Sequence, residues 1–275
     1  MTRAFLFCTI AAACHLAWAQ TTSFMTTFDM DAIETGLSVE QVEGHSDFGY
    51  IIAGVVRAPS SSTNMLVLRV DLNGAHMWHR TFTCPGLDDS AYCVKQVARD
   101  PARYLIAGRG ECDRDSAWFM LLDEDGDVVW DQRHRPDTVT NYLLVSATWI
   151  EPSLSGEGYI ASGHAGTFPW LMRLGPTGSL LWGELYGESY PVYTTARSVQ
   201  EATGHSPTEL NGYLMVGVQR NINDPSHKKD LWMLKTNLDG DVMREHVIGD
   251  PDLGEEAFAV AHAQDLNFVV AGEKG

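Results

Sequence analysis

The sequence predicts an all-β fold, a β-propeller of four-stranded blades, about five in number with the last incomplete. Three observations predict it: an internal repeat of about 54 residues, Gly-bearing hairpin turns at fixed places within that repeat, and no helical spacing of apolar residues beyond the first stretch of the chain.

The repeat is read first from one strand. Tyr50-Ile51-Ile52-Ala53-Gly54 returns as Tyr104-Leu105-Ile106-Ala107-Gly108, Tyr159-Ile160-Ala161-Ser162-Gly163, Tyr213-Leu214-Met215-Val216-Gly217 and Phe268-Val269-Val270-Ala271-Gly272, at intervals of 54, 55, 54 and 55 residues. A second marker keeps step: Gly74 with Trp78, Gly126 with Trp130, Gly178 with Trp182, and Gly240 with Arg244 in place of the tryptophan. A third, Leu66, Trp118, Trp170 and Trp232, lies eight residues before each of those glycines.

Each repeat reads as four strands. The first is of the Ser38-Val39 type, echoed at Cys93-Val94, Ser198-Val199 and Ala259-Val260. The second is the pentapeptide above, apolar on both faces as an inner strand requires. The third covers Met65 to Val70, Ala117 to Leu122, Trp170 to Leu174 and Leu231 to Thr236. The fourth interleaves polar and apolar residues, as in Trp182 to Tyr186, and suits an outer position. Between the third and fourth, glycine supplies the positive φ that a tight hairpin needs. Radial packing of such units leaves few free sheet edges.

An aromatic-apolar-apolar-Ala-Gly strand, followed by an Asp-x-x-Gly turn with tryptophan four residues on, resembles the repeats of secreted microbial β-propellers. It is also similar to the tryptophan-docking blades of quinoprotein-like (PQQ-type) propellers. The resemblance covers most of the chain from about Leu37 onward. It implies that Trp78, Trp130 and Trp182 lie largely buried between blades, and Arg244 departs from it. It implies no single activity, because such propellers host enzymes, ligand binders and scaffolds.

The N-terminus sets the expected compartment. Arg3, an apolar stretch from Ala4 to Ala13 and the Ala17-Trp18-Ala19 site form a signal peptide over residues 1–19, leaving a propeller domain over 20–275. The alternative is lipidation at Cys14. The repeats are expected near 37–91, 92–144, 145–197 and 198–258, with a partial one at 259–275. Ser23 to Phe28 resembles a fourth strand and is expected to supply the outer strand of the last blade. The last copy stops at Gly275 after its second strand, so a longer propeller is the alternative.

The net charge of −17 repels phosphate backbones and argues against nucleic acid as a partner. Export leaves Cys84, Cys93 and Cys112, hence one disulfide and one thiol. Any pair reaches the same rim in a four-stranded meander; Cys84 with Cys93 is favoured because they flank one loop, with Cys93–Cys112 the close alternative.

No catalytic, cofactor-binding or metal constellation is expected. Asp123, Asp125 and Asp127 have part of a calcium-loop spacing but lack the distal glutamate, and read as a hairpin turn. His76 and His79 are three apart, which places them on opposite faces of a regular strand. There is no nucleophile elbow and no phosphate loop. Topology instead puts a variable rim at the loops after the second and fourth strands, carrying Asp113, Asp115, Tyr190, Tyr193, Lys228 and Lys229. The expected function is a secreted, non-enzymatic scaffold that binds an extracellular protein or carbohydrate through that rim. The alternative is a quinoprotein-like oxidoreductase or a hydrolase with its site over the central channel.

Overall fold

A computed structural model describes residues 27–30, 32–44, 48–57, 62–84, 88–112, 114–136, 145–153, 158–187, 192–202, 212–221, 228–250, 253–263 and 268–275. The expected signal peptide lies outside them.

Alternating sequence and glycine turns give four antiparallel meanders. The first blade is β1 (Ile33–Val42), β2 (Gly49–Arg57), β3 (Thr63–Asp71) and β4 (His76–Phe82). The second is β5 (Ser90–Arg99), β6 (Ala102–Gly110), β7 (Ser116–Leu122) and β8 (Val128–His134). The third is β9 (Val145–Pro152), β10 (Tyr159–Ala165), β11 (Phe168–Leu174) and β12 (Leu180–Leu185). The fourth is β13 (Val192–Ala202), β14 (Gly212–Asn221), β15 (Asp230–Asn237) and β16 (Val242–Ile248). A fifth sheet pairs β17 (Glu255–His262) with β18 (Phe268–Lys274). Strands are hydrogen-bonded in chain order within each sheet. β9 starts at residue 145 as the repeat pattern has it, whereas β1, β5, β13 and β17 start two to six residues upstream of the marked positions. No helix among the described residues is long and apolar enough to cross a membrane.

The sheets stack in sequence. Each of β5, β9, β13 and β17 packs across the first three strands of the preceding blade, the sequential arrangement of a propeller. The core lies between blades. Met65, Val67 and Ile51 of the first meet Tyr104, Ile106 and Met120 of the second; Leu105, Ala107 and Phe119 meet Ala161, Trp170 and Met172; Ile160 and Leu171 meet Met215, Trp232 and Leu234. Both faces of the second and third strands are thus buried, which is why their sequences are continuously apolar.

The hairpin between third and fourth strands docks each blade on the one before. Gly74, Gly126, Gly178 and Gly240 hold φ of 79°, 81°, 75° and 90°. A side chain at Gly126 would strike the Trp78 ring, and one at Gly178 the Trp130 ring; Gly240 faces Trp182 at the same place. Trp78 Nε1 donates to the Glu124 carbonyl at 2.9 Å, and Tyr186 Oη to that of Gly240 at 2.7 Å. Trp78, Trp130 and Trp182 are partly buried, each packed against the core between its own blade and the next. Arg244 lies on β16, exposed along its whole length.

The cysteine pairing differs from the favoured one. Cys84 bonds Cys112, and Cys93 is a buried free thiol. β5 starts at Ser90, so Cys93 lies inside the strand with its side chain turned to the third blade, where its Sγ faces the Ile150 carbonyl at 3.9 Å. Cys84 and Cys112 leave β4 and β6 at one rim, across the buried carboxylate of Asp89, which accepts from Cys84 N at 2.5 Å and Glu111 N at 3.0 Å.

Candidate functional site

The first strand of every blade carries an extra residue at the register of the pentapeptide glycine, and β5 carries a second at Val97. Its register against the second strand shifts at Leu37, Tyr92, Thr148, Arg197 and Phe258. A β-bulge of this kind bends the strand and re-aims the extra side chain. All five line a single cavity of about 710 Å³, to which every blade contributes. The glycine closing each second-strand pentapeptide makes the bulge possible. A Cβ at Gly54, Gly108, Gly163, Gly217 or Gly272 would collide with the carbonyl of Thr35, Ser90, Ser146, Thr195 or Glu256, the residue two before each bulge.

Around this ring stand Trp149 and Tyr193, the hydroxyls of Ser146, Thr148 and Thr195, and the cations Arg197, Arg220 and Lys229. Among the described residues no Asp or Glu lines the cavity, in a chain with 36 acidic and 19 basic residues. The carboxylate nearest in role is Glu256, which is buried and pairs with both Arg197 (3.4 Å) and Lys229. The guanidinium of Arg197 also lies 5.9 Å from the Phe258 ring centre. Arg220 is exposed and forms no ion pair with the described residues.

His164 joins the site from β10. Its Nδ1 lies 3.3 Å from Ser146 Oγ, and its Nε2 is shielded from solvent with no partner among the described residues. Burial above all, with Arg197 and Arg109 adding and Asp115 opposing, pulls the imidazole down to about 4. The ring is neutral at physiological pH. A Ser–His contact supplies two of the three members of a nucleophilic triad; among the described residues no carboxylate hydrogen-bonds the imidazole, and Ser146 is itself buried.

Further along the inner strands a polar ladder joins four blades. Lys95 bridges Glu40 at 3.4 Å and Glu151 at 3.0 Å and lies 4.7 Å from the Trp149 ring centre, while Gln200 donates to Glu151 at 3.2 Å. Burial pulls the Lys95 ammonium down, and Glu151 and Glu40 outweigh it, so its pKa is raised. Burial holds the Glu40 carboxyl above its ordinary value despite Lys95. Neighbouring side chains occupy the inner strand edges: Ser38 Oγ accepts from Val94 N, Ser198 Oγ from Val260 N and Glu40 from Gln96 N, and the Thr148 hydroxyl sits 2.9 Å from the Ala196 carbonyl.

Of the six rim residues expected from sequence, Tyr193 and Lys229 line the cavity. Lys228 is exposed beside it in sequence but is not part of the lining. Asp115 accepts from Arg109 Nε at 2.7 Å, and its carbonyl from Arg135, which ties it into the rim of the second blade. Asp113 and Tyr190 lie outside the described residues. Arg197, Arg220, His164 and the bulge residues were not foreseen. Their signal is a small residue on one or both sides of a variable one: Gly36-Leu37-Ser38, Ala91-Tyr92-Cys93, Ala147-Thr148, Ala196-Arg197-Ser198 and Ala257-Phe258-Ala259.

A second cavity, of about 610 Å³, lies on the first blade and includes Phe28, Leu66, Leu68, His76 and His79. Phe28 packs on Ile52, Leu68 and Val70; the rest of the expected closing strand, Ser23 to Thr26, lies outside the described residues. The two histidines share a face, contrary to the alternation expected of them. The register of β4 shifts at Met77, which reverses the parity and brings His76 Nε2 to 3.0 Å from His79 Nδ1. The Asp123 turn is stapled by its own backbone, since Asp123 Oδ1 accepts from Asp125 N (3.1 Å) and Asp127 N (2.8 Å), as Asp71 and Asn237 do in theirs. Among the described residues no group of three or more His, Cys, Asp or Glu could hold a metal ion.

No family model matches the chain, and no curated protein matches it. Solved structures that it resembles include two crystals of BBS1N in complex with ARL6DN. The mercury-soaked one is 8% identical with a TM-score of 0.48, and the lead-soaked one 9% identical with a TM-score of 0.45; each match covers 88% of this chain. The chain spans 62% of the length of each of those neighbours.

Proposed function

We propose that this protein is a secreted, non-enzymatic propeller that binds a protein or glycan at the mouth of its inner-strand funnel. One observation carries the reading: five bulges, one per blade, direct five side chains into a single cavity. Its volume of about 710 Å³ falls in the range of ligand pockets, and it combines an aromatic wall with a few convergent polar groups. The leader-like residues 1–19 support export.

The competing hydrolase reading rests on the Ser146–His164 contact. Against it stand the missing third group and an imidazole too weakly basic to serve near neutral pH. The quinoprotein-like reading rests on the docking tryptophans alone, and these are occupied in interblade contacts.

The test is an array of glycans and peptides probed with the wild type, the funnel variants Tyr193→Ala and Arg220→Ala, and Arg99→Gln at the far end of β5 as a control. Ligands lost about tenfold by the funnel variants and kept by the control support the reading. It is overturned by binding indifferent to both funnel variants, by a cofactor chromophore in the purified protein, or by ester turnover abolished in Ser146→Ala.

A further inference from the structure

Resting on that reading, we infer that the funnel recognises a carboxylate-bearing saccharide, an oligomer of hexuronate type. Three features of the cavity select this class.

The first is charge. Arg197, Arg220 and Lys229 converge on a lining that holds no carboxylate among the described residues, although acidic residues outnumber basic ones across the chain by 36 to 19. Glu256 offsets part of this from behind, and the balance is positive. A planar carboxylate matches the fork geometry of an arginine.

The second is the wall. Tyr92, Trp149, Tyr193 and Phe258 offer ring faces for the apolar side of a pyranose, and Ser146 and Thr195 add hydroxyls. The shielded, unpartnered Nε2 of His164 is a further polar group at this wall.

The third is what the funnel does not offer. An extended peptide would be held by main-chain pairing with a free strand edge. Ser38, Glu40 and Ser198 already accept from backbone N–H groups along the edges of β5 and β17. At β5 and β17 that leaves less backbone for an added strand, which favours a compact ligand held by side chains.

The experiment is calorimetric titration of the full-length secreted protein at 150 mM salt with trigalacturonate, its methyl ester and a hexaglutamate peptide. Trigalacturonate should bind, and the ester and Arg220→Gln should each weaken binding about tenfold, with Arg220→Lys recovering part of it. Equal affinity for acid and ester, or unchanged affinity in Arg220→Gln, overturns the carboxylate assignment. Binding of hexaglutamate but not trigalacturonate overturns the saccharide. Failure of all three probes while the array yields funnel-dependent ligands overturns this inference and leaves the binding reading standing; failure on the array as well removes both.

Discussion

Trp78 on the outer strand of the first blade lies against Tyr104 on the second strand of the next, with ring centres 6.0 Å apart at 57°. The pair recurs as Trp130–Tyr159 at 6.1 Å and Trp182–Tyr213 at 5.9 Å. Two of the sequence markers are thus the two halves of one contact. In the second, third and fourth blades the aromatic that opens the pentapeptide receives the tryptophan of the blade before it.

Removing one such ring should loosen one blade boundary. Trp130→Ala is expected to cost about 3 kcal/mol, the low end for aromatic truncation because the ring is half-buried. Chemical denaturation would measure it; a cost under about 0.5 kcal/mol, the range of ordinary surface changes, would mean the ring does not join the blades.

The bulges depend on missing side chains. Gly163→Ala places a methyl group against the Ser146 carbonyl, a backbone atom that cannot swing aside, and should destabilise by about 3 kcal/mol. Gly175→Ala meets only the hydroxyl of Ser179 and should cost less than about 1 kcal/mol. Equal melting temperatures for the two variants would contradict the role given to the pentapeptide glycine.

Thiol chemistry separates the three cysteines. Burial pushes Cys93 up to about 12, so the native thiol should resist alkylation and react once the chain is unfolded. Non-reduced mass mapping should join Cys84 to Cys112. Serine at both, closing off a bridge between residues 28 apart, should cost roughly 3 to 4 kcal/mol on the chain-entropy account. A Cys84–Cys93 peptide would contradict the strand register.

His164 gives stability a pH dependence. Its folded pKa of about 4 lies below the ordinary 6.5, so between those values the unfolded chain binds more protons. The contribution is complete above pH 6.5 and is lost as pH falls toward 4, where the loss reaches about 3 kcal/mol. Burial sets it above all, with Arg197 and Arg109 adding and Asp115 opposing. His164→Gln should flatten the denaturation midpoint over this window, and parallel curves for the two proteins would rule out the buried imidazole as the cause.

Blade order was legible because repetition is visible without any assumption about register. The turn glycines, the tryptophans and the alternation of the outer strands all fell into place from spacing alone. The site was not, for one physical reason: a period-two argument assumes an unbroken strand. Each first strand breaks it by one residue, which turns Arg197 and Tyr92 inward, and Met77 does the same in β4, which brings His76 and His79 together. The preference for Cys84 with Cys93 failed similarly, because proximity in the chain said nothing about which face Cys93 presents. Tyr193 and Lys229 were reached because loop variation marks a rim, whereas the cavity floor comes from strands.

Hydroxyl-radical footprinting with trigalacturonate tests the funnel most directly, since it reports where a ligand sits whatever its affinity. Oxidation of Tyr92, Trp149, Tyr193 and Phe258 should fall together on saturation while that of Trp78 and Trp130 stays constant. Protection of the outer-strand tryptophans, with the four funnel aromatics unchanged, would contradict the account.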